Sequence, residues 1–441
     1  MEVIGYYDGF KGFISGFPKN TVLTPESVAD IADSAGSILG TSREPELSGD
    51  DWEEGPVGPK AERLGVRHSR LRAVVRKIGA DQLDVLYLIG GDGTMRAAHV
   101  LSLLLEEEPF RGPSREGKQP CSIVAVPKTM DNDVLWGWQT FGFVSAVERA
   151  DEIIHQLHTE AESNPRACVL QLFGSDSGYV VTHAALASGV CDLFLIPEVP
   201  FRMRRVAKEV IKKLQQRFDK AGQRSHAMIL MAETAIPLDA CAYLDNADIG
   251  LNEKEKEAVR KFLRIEYWAD PALGLDGNEV HRIESFLGLI GPGQAVALKE
   301  REKKAIIDYH HYLRTTGQTP DVLRTSGLKL VSGVLQKEIR AIPANRPYWE
   351  PVRVFSSEPR HMIRAVVPTS SDILFAQRLG TLAVDCAMAG YTDVMISQWL
   401  TEYVMVPLRL VTLGRKRVPI DGIFYKSAIA KTGQPADLLF D

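Results

Sequence analysis

Short apolar runs alternate along the first half of the chain with longer stretches that repeat an apolar residue every three or four positions. Residues 2–7 (EVIGYY), 121–126 (CSIVAV), 167–173 (ACVLQLF), 193–197 and 227–232 predict strands. Residues 85–89 show no polar alternation and predict a strand buried on both faces. Helical spacing covers 63–78, 94–105, 145–154, 179–187 and 204–218. Residues 8–13 read as a turn, and Thr24-Pro25-Glu26 as a helix start capped by Thr24. Strand, loop and helix alternate often enough to predict a doubly wound α/β architecture.

The rhythm breaks over 240–350. Helices are expected at 253–263, 296–313 and 321–340, with a turn at Gly291-Pro292-Gly293, so this block reads as a helical insertion. Strand pattern returns at 352–355, a long helix follows at 372–389, and Gly390-Tyr391-Thr392 stops it. Residues 393–413 are apolar strands, and GRKRVPIDG at 414–422 is a basic turn.

Composition narrows the function classes. The chain has 441 residues, enough for two or three domains' worth of core. A net charge of −5 offers nothing to a nucleic-acid partner. The five cysteines are scattered without a CxxC pair, which argues against a disulfide framework or a zinc site and fits a reducing, cytoplasmic setting. No stretch reaches the length of a membrane span, and no secretory signal is evident.

Two loops carry the candidate chemistry. The first is Gly90-Gly91-Asp92-Gly93-Thr94, between a strand and a helix. Glycines bring backbone N–H groups close to a ligand, and the following helix aims its positive end at the same place. One acid in such an anion site suits a phosphate carrying Mg²⁺. The plainer reading is a tight turn, although a plain turn does not need three glycines around an acid. The second is Pro127-Lys128-Thr129-Met130-Asp131-Asn132-Asp133, at the carboxyl end of the next strand, where open α/β sheets bind ligands. One carboxylate could take a proton from a hydroxyl while the other helps hold a metal; an Asx-type turn is the alternative. Two such acid clusters about forty residues apart point towards phosphoryl transfer. Arg43, ending a small Gly/Ser-rich loop, is a candidate phosphate contact or a solvated surface residue. Arg360, His361 and Arg364 cluster within a turn or two, and planar guanidinium groups suit a phosphate ester. His310 and His311 are adjacent, so on a helix they face different ways and read as surface residues.

These motifs resemble the phosphofructokinase family over most of the chain: GGDGT at 90–94, PKTMDND at 127–133, TFGF at 140–143, the glycine turn at 174–178, Glu233, HMIR at 361–364 and AMAGYT at 387–392. The pattern is closer to the long subfamily that includes plant and trypanosome enzymes. GGDGT alone is shared with lipid and NAD kinases, which leaves PKTMDND unexplained. The resemblance implies two Rossmann-like lobes. Residues 1–142 with about 364–400 would form the phosphate-donor lobe. Residues 143–240 with about 351–363 and the C-terminal region would form the sugar-phosphate lobe, and 241–350 the insertion. It implies that Asp92 holds Mg²⁺, that Asp131 is the base for the sugar 1-hydroxyl, that Thr129 orients the phosphoryl group and that Asp133 supports the metal. Phe10, Arg43, Gly91, Gly93, Thr94 and Lys128 would serve the donor. Met130, Arg166, Phe173, Gly174, Ser175, Glu233, His361 and Arg364 would serve fructose 6-phosphate, with Arg166 reaching a neighbouring subunit. A homodimer or homotetramer is expected.

Donor choice hangs on two positions. In the family, glycine after the GGD motif accompanies ATP and aspartate accompanies pyrophosphate; here it is Gly93. Lys128 accompanies pyrophosphate use, but the long ATP-dependent subfamily combines this glycine with this lysine, so ATP is expected. Two departures stand out. The family's opening strand and Gly-Gly-x-x-Pro-Gly-x-Asn loop have no counterpart here, which would cost a sheet strand and several phosphate donors. The usual Met-Gly-Arg is Phe173-Gly174-Ser175, which removes a cation. Both favour a regulatory homologue with impaired catalysis as the competing reading, against the intact GGDGT and DND.

Overall fold

The computed structural model describes residues 2–14, 20–32, 34–42, 69–106, 121–220, 225–263, 321–341 and 352–439. The strands, in chain order, are β1 Ile4–Tyr6, β2 Asn20–Val22, β3 Val85–Gly90, β4 Ser122–Pro127, β5 Arg166–Leu172, β6 Leu193–Leu195, β7 Ala227–Ala232, β8 Arg353–Ser357, β9 Val394–Trp399 and β10 Glu402–Pro407. They fall into two compact units, Met1–Ala146 with Arg364–Lys416 and Val147–Ile363 with Arg417–Asp441.

The first unit holds a four-stranded sheet in the order β10-β9-β4-β3. β3, β4 and β9 run parallel, and β10 returns antiparallel along one edge. Helices Ser69–Ala80 and Asp92–Glu106 pack on one face through Leu71, Val74, Ile78, Met95, Leu101 and Leu104. Helix Ser370–Met388 covers the other through Phe375, Leu379 and Ala383. Its N-terminus is closed by Thr369, whose hydroxyl accepts from the Asp372 amide, and Asp372 in turn accepts from the Ser145 amide and hydroxyl.

The second unit holds an all-parallel sheet in the order β6-β7-β5-β8. β5 and β7 are almost entirely buried, which is why residues 167–173 and 227–232 read as continuous apolar runs. Helices Tyr179–Ser188, Met203–Asp219 and Asp321–Arg340 lie against this sheet. Among the described residues, no helix is long and apolar enough to cross a membrane.

Several expectations need correction. β3 is not buried on both faces. It pairs only with β4 among the described residues, and as an edge strand it is half-covered, with Ile89 62% exposed. The strand expected at 2–7 is shorter, Ile4–Tyr6, and pairs antiparallel with β2 in a two-stranded ribbon. The turn expected at 8–13 is a short helix, Gly9–Ile14, entered through Asp8 and Gly9 in left-handed backbone. Thr24 opens only a 3-10 turn, Glu26–Val28, where the hydroxyls of Thr24 and Ser27 each accept from the other's amide. The helix expected from Thr94 begins at Asp92, so the acid of GGDGT lies in its first turn. His310, His311, Gly291-Pro292-Gly293 and the helix at 296–313 lie outside the described residues.

Candidate active site

Parallel pairing of β3 with β4 decides where the two acid-bearing bends go. The register runs from Val85 opposite Ser122 to Gly90 opposite Pro127, so both strands end together. The Lys128 amide extends the ladder by donating to the Gly90 carbonyl at 2.7 Å. The chain then diverges into the turn before helix Asp92–Glu106 on one side and the 128–133 loop on the other. They stay adjacent: a Cβ at Gly91 would lie 3.8 Å from the Thr129 Cβ and 3.9 Å from the Lys128 carbonyl. Gly90 is glycine for a different reason, since a Cβ there would lie 2.1 Å from the Thr94 hydroxyl.

Asp92 is 6% exposed. Its Oδ2 accepts from the Nε of Arg96 at 3.0 Å and the Nε of Arg415 at 3.3 Å. Its Oδ1 is buried and accepts no hydrogen bond. Gly93 and Thr94 complete the first helical turn, where the helix dipole favours an anion, although the Thr94 amide already donates to the Gly91 carbonyl at 2.9 Å. Mg²⁺ takes one or two carboxylates and fills its remaining positions with water and phosphate oxygen. A buried carboxylate oxygen without a donor, beside a helix N-terminus that attracts phosphate, fits that ion. Among the described residues no group of three or more His, Cys, Asp and Glu forms a self-sufficient metal cage, and this ion does not need one.

The second loop is held from within. The Thr129 hydroxyl accepts from the Asp131 amide at 3.1 Å, and the Thr129 carbonyl accepts from the Thr140 hydroxyl at 2.7 Å. Asn132 has φ +54°, a left-handed conformation that asparagine tolerates, and is buried. Asp133 is buried too, whereas Met130 and Asp131 are only partly covered and Lys128 is exposed. Asp131 is thus the less buried carboxylate of the pair. Lys416 lies beneath the loop. Its Nζ donates to Asn132 Oδ1 at 2.7 Å, to the Gly137 carbonyl at 2.7 Å and to the Trp138 carbonyl at 3.1 Å. Burial pushes its ammonium down to about 7, with the Asp133 carboxylate pulling the other way.

In the second unit the carboxyl ends of β5, β7 and β8 gather a different set. The turn after β5 has Ser175 at φ +51°. A Cβ on Gly174 would lie 2.4 Å from the Ser177 carbonyl, and one on Gly178 would lie 2.6 Å from Ile196. Glu233, buried at the end of β7, accepts from the Ser175 amide through Oε1 at 3.1 Å, and the Thr234 hydroxyl donates to the Ser175 carbonyl at 2.6 Å. Arg324 brings a guanidinium to 3.7 Å from the same Glu233 oxygen. Gln171 joins β5 to the segment after β8 by donating to Glu358 at 2.8 Å. The exposed His361 follows on helix Arg360–Arg364, whose last residue, the exposed Arg364, already belongs to the first unit.

Not every candidate gathers here. Arg166 is the first residue of β5, roughly 20 Å of strand from the glycine turn, and pairs with Glu160 at 3.4 Å. Phe10 packs against the apolar core of the first unit, Phe173 is buried, and Arg43 lies outside the described residues. Sequence reasoning missed Arg96, Arg324, Arg415 and Lys416 as parts of either constellation. Only the basic turn at 414–422 gave a signal for two of them.

A family model described as Phosphofructokinase matches residues 1–266. The chain belongs to the phosphofructokinase family. Its similarity to curated phosphofructokinases extends further. An ATP-dependent 6-phosphofructokinase of Amycolatopsis methanolica is 27% identical over 438 residues, covering 99% of this chain and 72% of that protein. The enzyme of that name from Trypanosoma brucei brucei is 28% identical over 433 residues, covering 96% and 65%. One from Chloroflexus aurantiacus reaches 36% over 237 residues, covering 54% and 57%. Among solved phosphofructokinases, that of Pichia pastoris aligns with a TM-score of 0.58 at 17% identity over 98% of this chain and 34% of its own. A pyrophosphate-dependent phosphofructokinase of Marinobacter aquaeolei aligns at 0.56 and 14%, over 98% and 82%. These structural likenesses show a shared phosphofructokinase α/β fold.

Proposed function

We propose that this chain is a 6-phosphofructokinase that moves the terminal phosphoryl group of ATP to the 1-hydroxyl of fructose 6-phosphate, a cytoplasmic step of glycolysis carried out by a homodimer or homotetramer. The observation that carries this reading is the side-by-side exit of the Asp92 turn and the Asp131 loop from β3 and β4. The relatives named as ATP-dependent enzymes support the choice of reaction. The first unit is assigned to the donor and the second to the sugar phosphate.

In this reading the N–H groups of Gly91 and Gly93 hold the donor phosphates, aided by the helix dipole, with Thr94 lining the same turn. Asp92 Oδ1 is the ligand for Mg²⁺, which when bound neutralises phosphate charge. Asp131, the less buried of the two loop carboxylates, accepts the proton of the sugar hydroxyl. Thr129 lines the same loop. Glu233, His361 and Arg364 are assigned to the sugar phosphate. The chemistry is positioning and charge neutralisation.

Pyrophosphate is the second reading for the donor, favoured by Lys128, while Gly93 leaves room for the larger nucleotide. A regulatory, non-catalytic homologue is favoured by Ser175, where the family resemblance implies arginine; the presence of Arg324 beside Glu233 supplies a cation to that corner and weakens the case. A coupled assay separates the three. ATP-dependent formation of fructose 1,6-bisphosphate is expected. Turnover with pyrophosphate alone reverses the donor assignment. Binding of fructose 6-phosphate without turnover from either donor establishes the regulatory reading.

A further inference from the structure

We propose that Arg415 and Lys416 are positioning residues which latch the two acid-bearing bends in their working arrangement, Arg415 by orienting Asp92 and Lys416 by fixing the backbone that carries Asp131. The inference rests on the functional reading for the roles of those two aspartates, but its geometry stands independently. The latch comes from far along the chain, 323 residues from Asp92 and 284 from Asn132. It is zipped to the second loop by backbone: Arg415 bridges antiparallel to Val134, and the Lys416 amide donates to the Asp133 carbonyl at 2.8 Å. From that anchor the two side chains diverge. Arg415 reaches Asp92 Oδ2 with both side chains nearly buried, leaving Oδ1 as the oxygen available to an ion.

Lys416 works on the other bend. An ammonium has three N–H donors, and Asn132 Oδ1 and the Gly137 and Trp138 carbonyls take all three. No donor remains for a substrate, so the side chain acts through the loop. Its first partner is the left-handed residue between the two aspartates. Holding the Asn132 side-chain amide therefore fixes the backbone between a partly exposed Asp131 and a buried Asp133.

The test uses the full chain with Lys416→Met, which keeps length and removes the ammonium, and Arg415→Gln. Wild type and variants are compared by kcat, by KM for both substrates and by amide hydrogen exchange. For Lys416→Met a fall in kcat of at least thirtyfold is expected, with both KM values within threefold. Exchange at 131–138 is expected to rise at least threefold, with 122–127 unchanged. For Arg415→Gln the faster exchange is expected at 91–95. Wild-type kcat in Lys416→Met, or wild-type exchange in both loops, overturns the latch. So does a general acceleration of exchange across the unit with kcat and KM falling together, which marks plain structural glue. A wild-type chain without turnover defeats the kinase reading instead, and the local exchange pattern then decides the latch alone.

Discussion

Two neighbouring glycines separate what the fold needs from what a ligand needs. Gly90 and Gly91 both precede Asp92, and both would be replaced by alanine. At Gly90 the added methyl carbon would sit 2.1 Å from the Thr94 hydroxyl and 2.7 Å from its Cβ. Thr94 is β-branched in a helix and has few rotamers to retreat into, so Gly90→Ala should cost about 1–3 kcal/mol of stability. At Gly91 the nearest atoms are 3.8 and 3.9 Å away, an ordinary contact. Its φ is not among the positive values, so alanine fits the backbone, and the loss of unfolded-state freedom should stabilise by about 0.4–1 kcal/mol. The same methyl nonetheless occupies the surface between the turn and Thr129, where a phosphate must approach the N–H groups. Losing one charge-assisted hydrogen bond there is worth about 1.5–3 kcal/mol, or roughly 10- to 150-fold in kcat/KM for the donor. Urea denaturation and donor titrations on both variants give the comparison. Gly91→Ala with unchanged stability and a donor kcat/KM within twofold of wild type would refute the cradle and leave GGDGT as a turn.

Removing the less buried carboxylate with Asp131→Ala should lower kcat by about 10²- to 10⁴-fold while calorimetric affinity for fructose 6-phosphate stays within a few-fold; near-normal turnover removes Asp131 from the base role. In the second unit, Glu198 is buried, with Oε1 accepting from the Gly178 and Val418 amides and Oε2 without a hydrogen-bond donor. Burial pushes its carboxyl up, against the pull of those amides and Arg417. Between the ordinary carboxyl range and that raised value the folded chain keeps a proton the unfolded chain has lost, so stability falls as pH rises through the window. Glu198→Gln keeps the acceptor and removes the titration. Its stability relative to wild type, read from urea midpoints, should increase from pH 4.5 to pH 8, and a difference independent of pH contradicts the raised value.

The sheets were legible because burial writes itself into the letters. β5 and β7 are sealed on both faces, and apart from Gln171 their buried runs carry no polar position. β3 misled for the same reason in reverse. Its residues are as apolar as those of β4, but an edge strand's exposure depends on its neighbours, which periodicity within the strand does not encode. GGDGT and PKTMDND were legible as strand-end chemistry; that they meet follows only from the parallel register of β3 and β4. Arg415 and Lys416 were unreadable as site residues because a basic turn usually means a solvated surface. Their partners lie hundreds of positions earlier, and only the folded chain makes a half-buried, triply bonded lysine out of GRKR.

That half-buried lysine also bears on why two aspartates two positions apart need not share a task. Alternate residues of an extended segment would point the same way. Here Asn132 in left-handed backbone breaks the alternation, so Asp133 turns into the interior and Asp131 stays partly exposed. Asp133 lies where its charge supports the Lys416 ammonium, whose burial would otherwise be unopposed. A carboxylate spent on balancing a half-buried cation is poorly placed to take protons from a substrate. Asp131, whose own amide is tethered to the Thr129 hydroxyl, has a held backbone and is partly exposed, a combination that suits the base role proposed for it. In the proposed reading, the division of labour within DND would therefore come from one residue's φ and one distant lysine, with the asparagine between the acids as necessary to it as the acids themselves.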